Sequence, residues 1–119
     1  MVLTPKPAGA MVNHMVQQLD HTFAALGHPT RRAIVERLGR GPASAQQLAE
    51  PFDVSLTAVL KHVRVLEDAG LVACTKSGRV RHCRLVVEAL DEQAAWIDRQ
   101  RALWSARLDT IGRLLEDDA

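Results

Sequence analysis

Thr57, Lys61 and Arg64 stand four and three residues apart in "SLTAVLKHVRVLEDAGLV", the stretch from Ser55 to Val72. At helical spacing they share one face, with Leu56 and Leu60 beside them. A short hydroxyl, an ammonium and a guanidinium together can donate to base edges and phosphates, and the leucines can meet thymine methyl groups or pack on a neighbouring element. Lys76, Arg79, Arg81 and Arg84 follow within a few residues. Cations gathered so closely can hold a polyanion, through phosphate or in the minor groove, with an ordinary solvated surface as the other reading.

The other chemistry-bearing residues make weaker sets. Cys74 and Cys83 lie on either side of Ser77-Gly78. A two-residue turn there pairs Cys74 with Arg81 and Val72 with Cys83, leaving the thiols as diagonal neighbours, up to ~7–8 Å apart. A disulfide needs Cβ atoms about 3.5–4.5 Å apart, so a bridge requires a different register, and buried spectator thiols are the expectation. A redox or soft-metal sensor using Cys74 and Cys83 is the alternative. His14 and His21 share a helix face but sit two turns apart, ~10 Å along the axis, too far for one metal ion. His28 stands where a helix cap is expected. His62 is expected to bond backbone near the turn, with a phosphate contact as the other reading. No metal site, cofactor or catalytic set is expected. There is no Gly-rich phosphate loop, and no serine has a His and carboxylate partner. The chain does not read as an enzyme.

The elements that must position these groups follow from pattern. The 119 residues suffice for one domain with a modest core, and 47% are apolar. Four aromatics and no tyrosine are too few for a single-strand stacking platform. No signal segment or apolar run of ~20 residues appears, so a cytoplasmic protein with no membrane partner is expected. The net charge of +1 is uneven: +2 over residues 1–50, +3 over 51–84 and −4 over 85–119.

Residues 1–11, rich in Pro, Gly and Ala, read as a flexible tail. Asn13 caps a first helix whose apolar face is Val16, Leu19, Phe23 and Leu26, and Gly27 ends it. Pro29 opens a second helix, with Ile34, Val35 and Leu38 inward and Gly39 as its stop. Ser44 and Gln47 form a capping box for a short helix, 44–50, in which Leu48 and Ala49 face inward. A turn at 51–54 leads to Ser55, cap of a helix through residue 69 with Val59, Val63 and Leu66 buried, and Gly70 stops it. The period then changes to two, predicting a β-hairpin over 71–86 with a basic tip.

From Val87 to Glu116 there is no proline. Leu90, Ala94, Ile97, Arg101, Trp104, Leu108, Ile111 and Leu115 recur at heptad-like spacing, broken at Arg101. A lone helix of that length cannot bury its seam on so small a domain, so a partner helix is expected, with packing on its own domain as the alternative. A small apolar ligand pocket between two such helices is an alternative use of the tryptophans.

The predicted fold is mainly α with a small β-hairpin: a winged helix-turn-helix over 12–86, its helix-turn-helix at 44–69 and its wing at 71–86, with a long C-terminal dimerisation helix over 87–119. Such a fold lays its second helix in the major groove of double-stranded DNA, N-terminal end first. The expected DNA-binding residues are Ser55, Leu56, Thr57, Leu60, Lys61, Arg64, Lys76, Arg79 and Arg81. A winged helix that binds protein instead is the alternative.

"ALGHPTRRAIVERL", "SAQQLAEPFDVSLTAVLKHVRVLEDAGLV" and "SGRVRHCRL" resemble the arsenical-resistance-repressor (ArsR) family of bacterial winged-helix regulators, over roughly Leu19 to Leu115. The most diagnostic piece is "KHVRVLEDAGLV". The resemblance implies a homodimer whose first and last helices form the interface, binding an inverted-repeat operator to repress transcription. The expected interface residues are Leu19, Phe23, Ile97, Trp104, Leu108, Ile111 and Leu115. Two departures stand out. Leu60 occupies a position where many members carry a small polar residue that reaches DNA. The family's metal-sensing Cys-x-Cys and His/Asp sets are missing, since residues 52–69 hold no Cys and nothing after Cys83 is His or Cys. The effector is therefore left open.

Overall fold

The computed structural model describes residues 10–117 of the chain, with side chains from residue 17 onward. The elements run α1 (Ala10–Leu26), α2 (Pro29–Leu38), β1 (Ala43–Ser44), α3 (Ala45–Ala49), α4 (Leu56–Asp68), β2 (Val72–Ser77), β3 (Val80–Leu85), a 3-10 turn (Val87–Leu90) and α5 (Asp91–Asp117). They divide into two compact units, one up to Ala89 and one from Leu90 onward. Helix α1 starts at Ala10, ahead of the Asn13 cap expected from the sequence. The tail expected at 1–11 lies outside the described residues up to residue 9, as do the side chains of His14 and Val16.

The caps explain where the helices begin. His28 stands at the N-cap of α2, where its Nδ1 accepts from the Thr30 backbone N–H at 3.1 Å. Ser44 and Gln47 close a reciprocal capping box on α3, at 3.1 and 2.9 Å. Ser55 Oγ accepts from the Ala58 N–H at 3.1 Å to start α4. Each cap satisfies an N–H that has no partner inside the helix. At the other end of α4, Gly70 adopts φ 78°, so its N–H reaches the Glu67 carbonyl at 2.9 Å and the Leu71 N–H reaches that of Leu66 at 3.0 Å. This is a Schellman closure, and a side chain at residue 70 would strain it. It turns the chain directly into the wing.

The core of the first unit is built from α2, α3, α4 and the start of β2. Ile34, Leu48, Val59, Val63, Leu66 and Leu71 are all fully buried. Each such side chain contributes about 1.5–3 kcal/mol through burial. The face of α1 differs from expectation. Thr22 and Ala25 are buried, whereas Phe23 is 39% exposed. Thr22 tolerates the core because its hydroxyl donates to the Gln18 carbonyl at 3.0 Å, so no polar group is stranded there.

The sheet has three strands in the order β1-β3-β2. Two residues, Ala43 and Ser44, add a strand that the sequence reading lacks, pairing with Cys83 and His82. The hairpin register also corrects the expectation. Ser77 pairs with Val80, so the loop is Gly78-Arg79 rather than Ser77-Gly78, and Cys74 stands directly opposite Cys83. The reason lies in the turn. Gly78 has φ 63° and no non-glycine residue has a positive φ among the described residues. One positive φ at the first loop position is the type II′ pattern, whose twist suits a two-residue hairpin.

The second unit is α5 with the end of the 3-10 turn. Asp91 and Glu92 lie in its first turn, where carboxylates favour the positive end of the helix dipole. Ile97, Trp104, Leu108, Ile111 and Leu115 of the heptad-like seam are 42–67% exposed. Leu103 and Leu114 are exposed beside them, making the apolar stripe broader than the seam read from spacing.

Candidate nucleic-acid interface

Helix α4 buries Val59, Val63 and Leu66 and so turns the opposite face outward. Thr57, Lys61 and Arg64 are exposed on it, and Leu60 is half-buried. These four and Arg81 of the wing line one shallow groove of about 300 Å³. A deeper cleft of about 410 Å³ lies between α4, α3 and the wing. Leu56, Leu60 and Cys74 line it, with Lys76, Arg79 and Arg81 at hand. Leu60 therefore serves both surfaces, while Leu56 is 41% exposed beside the N-terminus of α4. Gln46, exposed on the first turn of α3, lines the same cleft and was not singled out from the sequence. Its signal was its place just inside the capping box, on the side away from Ala45 and Leu48.

Strand alternation sorts the basic wing. Lys76 and Arg81 stand directly opposite each other, as do Cys74 and Cys83 next to them. His82 and Arg84 are exposed on the other face, so Arg84 does not join Lys76 and Arg81 in one arm. Like charges in register repel. Arg81 is relieved by an ion pair with Glu67 of α4, Arg81 Nη2 donating to Glu67 Oε1 at 2.9 Å. That pair fastens the wing to α4. Among the described residues Lys61, Arg64, Lys76 and Arg79 have no acidic partner.

"HPTRR" has a positioning role. Arg31 donates to the carbonyls of Ala25 at 2.5 Å and Ala24 at 3.2 Å, and Arg32 to that of Leu26 at 2.8 Å. Two guanidiniums thus satisfy the last carbonyls of α1 and sit at the negative end of its dipole. Arg31 also donates to His62 Nδ1 at 3.3 Å, and the His62 ring lies 4.5 Å from that of His28. His62 therefore does not bond backbone as the sequence reading had it. It joins α4 to the α1–α2 corner. Because guanidinium only donates, Nδ1 must be the acceptor, and the ring proton sits on Nε2.

Burial, then the neighbouring His28 and Arg31, hold the His62 pKa below its ordinary value of 6.5. Protonation would break the acceptor role, so this contact stabilises the fold fully above pH 6.5 and is lost as pH falls through the lower folded-state value. The denaturant midpoint is expected to drop modestly between about pH 7.5 and pH 5, and His62→Gln should flatten that drop.

Among the described residues no group of three or more His, Cys, Asp or Glu is arranged to hold a metal ion, and no helix is long and apolar enough to cross a membrane.

A short capped helix, a tight turn, a second helix with a cationic outer face and a basic hairpin fastened to it define a winged helix-turn-helix DNA-binding domain. Residues 26–75 match the family model described as a helix-turn-helix domain. The chain is 35% identical over 99 residues to HTH-type transcriptional regulator Rv2034 of Mycobacterium tuberculosis, spanning 83% of this chain and 90% of that one. It is 27% identical over 79 residues to the transcriptional repressor SdpR of Bacillus subtilis, spanning 66% of this chain and 88% of that one. A crystal structure of an ArsR family transcriptional regulator superposes with a TM-score of 0.72 at 45% identity, covering 75% of this chain and 92% of that one. The chain belongs to the ArsR family of winged helix-turn-helix transcriptional regulators.

Proposed function

We propose that the protein is a cytoplasmic repressor that binds an inverted-repeat operator as a homodimer. The observation that carries this reading is the outer face of α4, where Thr57, Lys61 and Arg64 line one groove with Arg81 of the wing, while Lys76 and Arg79 in the adjoining cleft have no acidic partner among the described residues. Thr57 and Lys61 read base edges, Leu56 and Leu60 meet methyl groups, and Ser55 places the N-terminus of α4 toward the groove. Arg64, Lys76 and Arg79 hold phosphate, and Arg81, through Glu67, sets the angle of the wing. Residues 12–86 form the DNA-binding domain and 87–119 the dimerisation helix. Leu19 and Phe23 of α1 join Ile97, Trp104, Leu108, Ile111 and Leu115 of α5 in the interface. The similarity to SdpR supports repression. The reading involves no cofactor and no catalytic step.

Duplex binding measured across a salt gradient tests it. Affinity should fall steeply with salt, as counterions released by phosphate contacts dictate. Arg79→Ala should weaken binding to operator and random duplex alike and reduce the log–log salt slope by about one. Arg81→Ala should weaken both as well, since it frees Glu67 and unfastens the wing. A chain that ignores duplex DNA even at low salt is instead a protein-interaction module.

A further inference from the structure

The hairpin register sets two thiols side by side in the wing. Cys74 and Cys83 face each other across the wing, with Sγ atoms 2.7 Å apart. A two-residue loop closes on a hydrogen-bonded pair, here Ser77 and Val80, and the ladder then alternates. The Val86 N–H bond to the Leu71 carbonyl, at 2.9 Å, confirms the alternation six residues further along each strand. Cys74 and Cys83 are thus a non-hydrogen-bonded pair, the kind whose side chains approach most closely. Their opposition brings within reach the Cβ separation of about 3.5–4.5 Å that a disulfide requires. The two sites differ in access. Cys83 is 1% exposed, whereas Cys74 is half-buried and forms part of the cleft wall beside Leu60 and Lys76.

We propose that the wing is a reversible thiol–disulfide site, in which Cys74 reacts with a low-molecular-weight disulfide and Cys83 resolves the product. The Cys74 thiolate attacks one sulfur of the small disulfide. A bond forms from Cys74 Sγ to that sulfur, and the other half leaves as a thiolate and takes up a proton. Cys83 then loses its proton and attacks Cys74 Sγ, expelling the second half as thiol. The protein loses two protons and two electrons, and one small disulfide becomes two thiols.

The environment makes this exchange slow at neutral pH. Burial, then the hydrogen bond and charge of Cys83 and the carboxylate of Glu67, push the Cys74 thiol up to about 12, with Arg81 pulling the other way. Only the thiolate attacks, so the rate should climb about tenfold per pH unit from pH 7 to 10. The site would therefore register a sustained oxidising shift rather than a brief pulse. A second consequence rests on the proposed function. Because Cys74 lies in the wall of the cleft that meets DNA, bound operator should shield it.

Glutathione disulfide is the probe, with intact mass and thiol counting as readouts. The wild-type chain should lose both thiols and about 2 Da, without an adduct, and recover on reduction. Cys83→Ser should instead accumulate one mixed disulfide on Cys74, because nothing resolves it. Cys74→Ser should stay unmodified while folded, since Cys83 is buried. A wild-type chain that keeps both thiols at pH 9, stops at a stable mixed disulfide, or links two chains would overturn the proposal. A Cys83→Ser chain that stays unmodified while Cys74→Ser forms the adduct would overturn Cys74 as the attacking thiol. Saturating operator should slow the exchange at least tenfold. If the thiols cyclise freely on bound DNA, the disulfide site stands and the placement of DNA over the cleft fails.

Discussion

Trp104→Glu is expected to give a monomer that keeps its helical content and loses operator binding by on the order of 100-fold or more. Trp104 is 65% exposed in the single chain, in a stripe with Ile97, Leu108, Ile111 and Leu115, all 42–67% exposed. Covering one such side chain is worth ~1.5–3 kcal/mol, so an isolated chain forgoes several times that. A two-fold dimer hides the stripe and sets two recognition helices about 34 Å apart, one DNA turn, matching an inverted repeat. The same symmetry places the new carboxylate twice in one apolar interface, where neither copy finds a partner. Arg101 interrupts the seam yet is exposed, and Asp98 three residues earlier can balance it. Sedimentation, far-UV circular dichroism and operator binding read the three outcomes separately. A wild-type chain that sediments as a monomer at micromolar concentration would refute the dimer and the reading of two half-sites.

Thr57→Val and Lys61→Ala are each expected to cost about 1–3 kcal/mol on the operator and much less on random duplex. Both residues are exposed on the first two turns of α4, the part of a recognition helix that enters the major groove. Val replaces Thr at nearly constant volume, so the change removes a hydroxyl and little else. Helix α4 keeps its Ser55 cap and its buried Val59, Val63 and Leu66 in both variants, so the fold should persist. Arg79→Ala is the control, with equal loss on both duplexes. Equal loss for Thr57 or Lys61 would move that residue from base readout to phosphate contact.

The sequence alone determined the helices, the hairpin that follows α4, and which face of α4 turns outward. Caps are local: Ser44 with Gln47, and Ser55 with Ala58, lie within three residues of one another, so their chemistry is legible without the fold. The buried stripe of α4 is likewise a matter of period, and it leaves Thr57, Lys61 and Arg64 outside. Contacts between elements were not legible in this way. The ion pair of Arg81 with Glu67 and the link from Arg31 to His62 join residues 14 and 31 apart, and either Arg reads equally well as a free cation. Thr22 entered the core and Phe23 left it because side-chain packing on α2 and α4, rather than apolar count, fixed the rotation of α1. The hairpin register was beyond the pattern for a geometric reason. Moving the loop from Ser77-Gly78 to Gly78-Arg79 slips the strands by two, which leaves every side chain on the same face of the sheet. Alternation is blind to such a slip. The left-handed backbone at Gly78 breaks the tie, and with it decides that Cys74 meets Cys83 rather than Arg81.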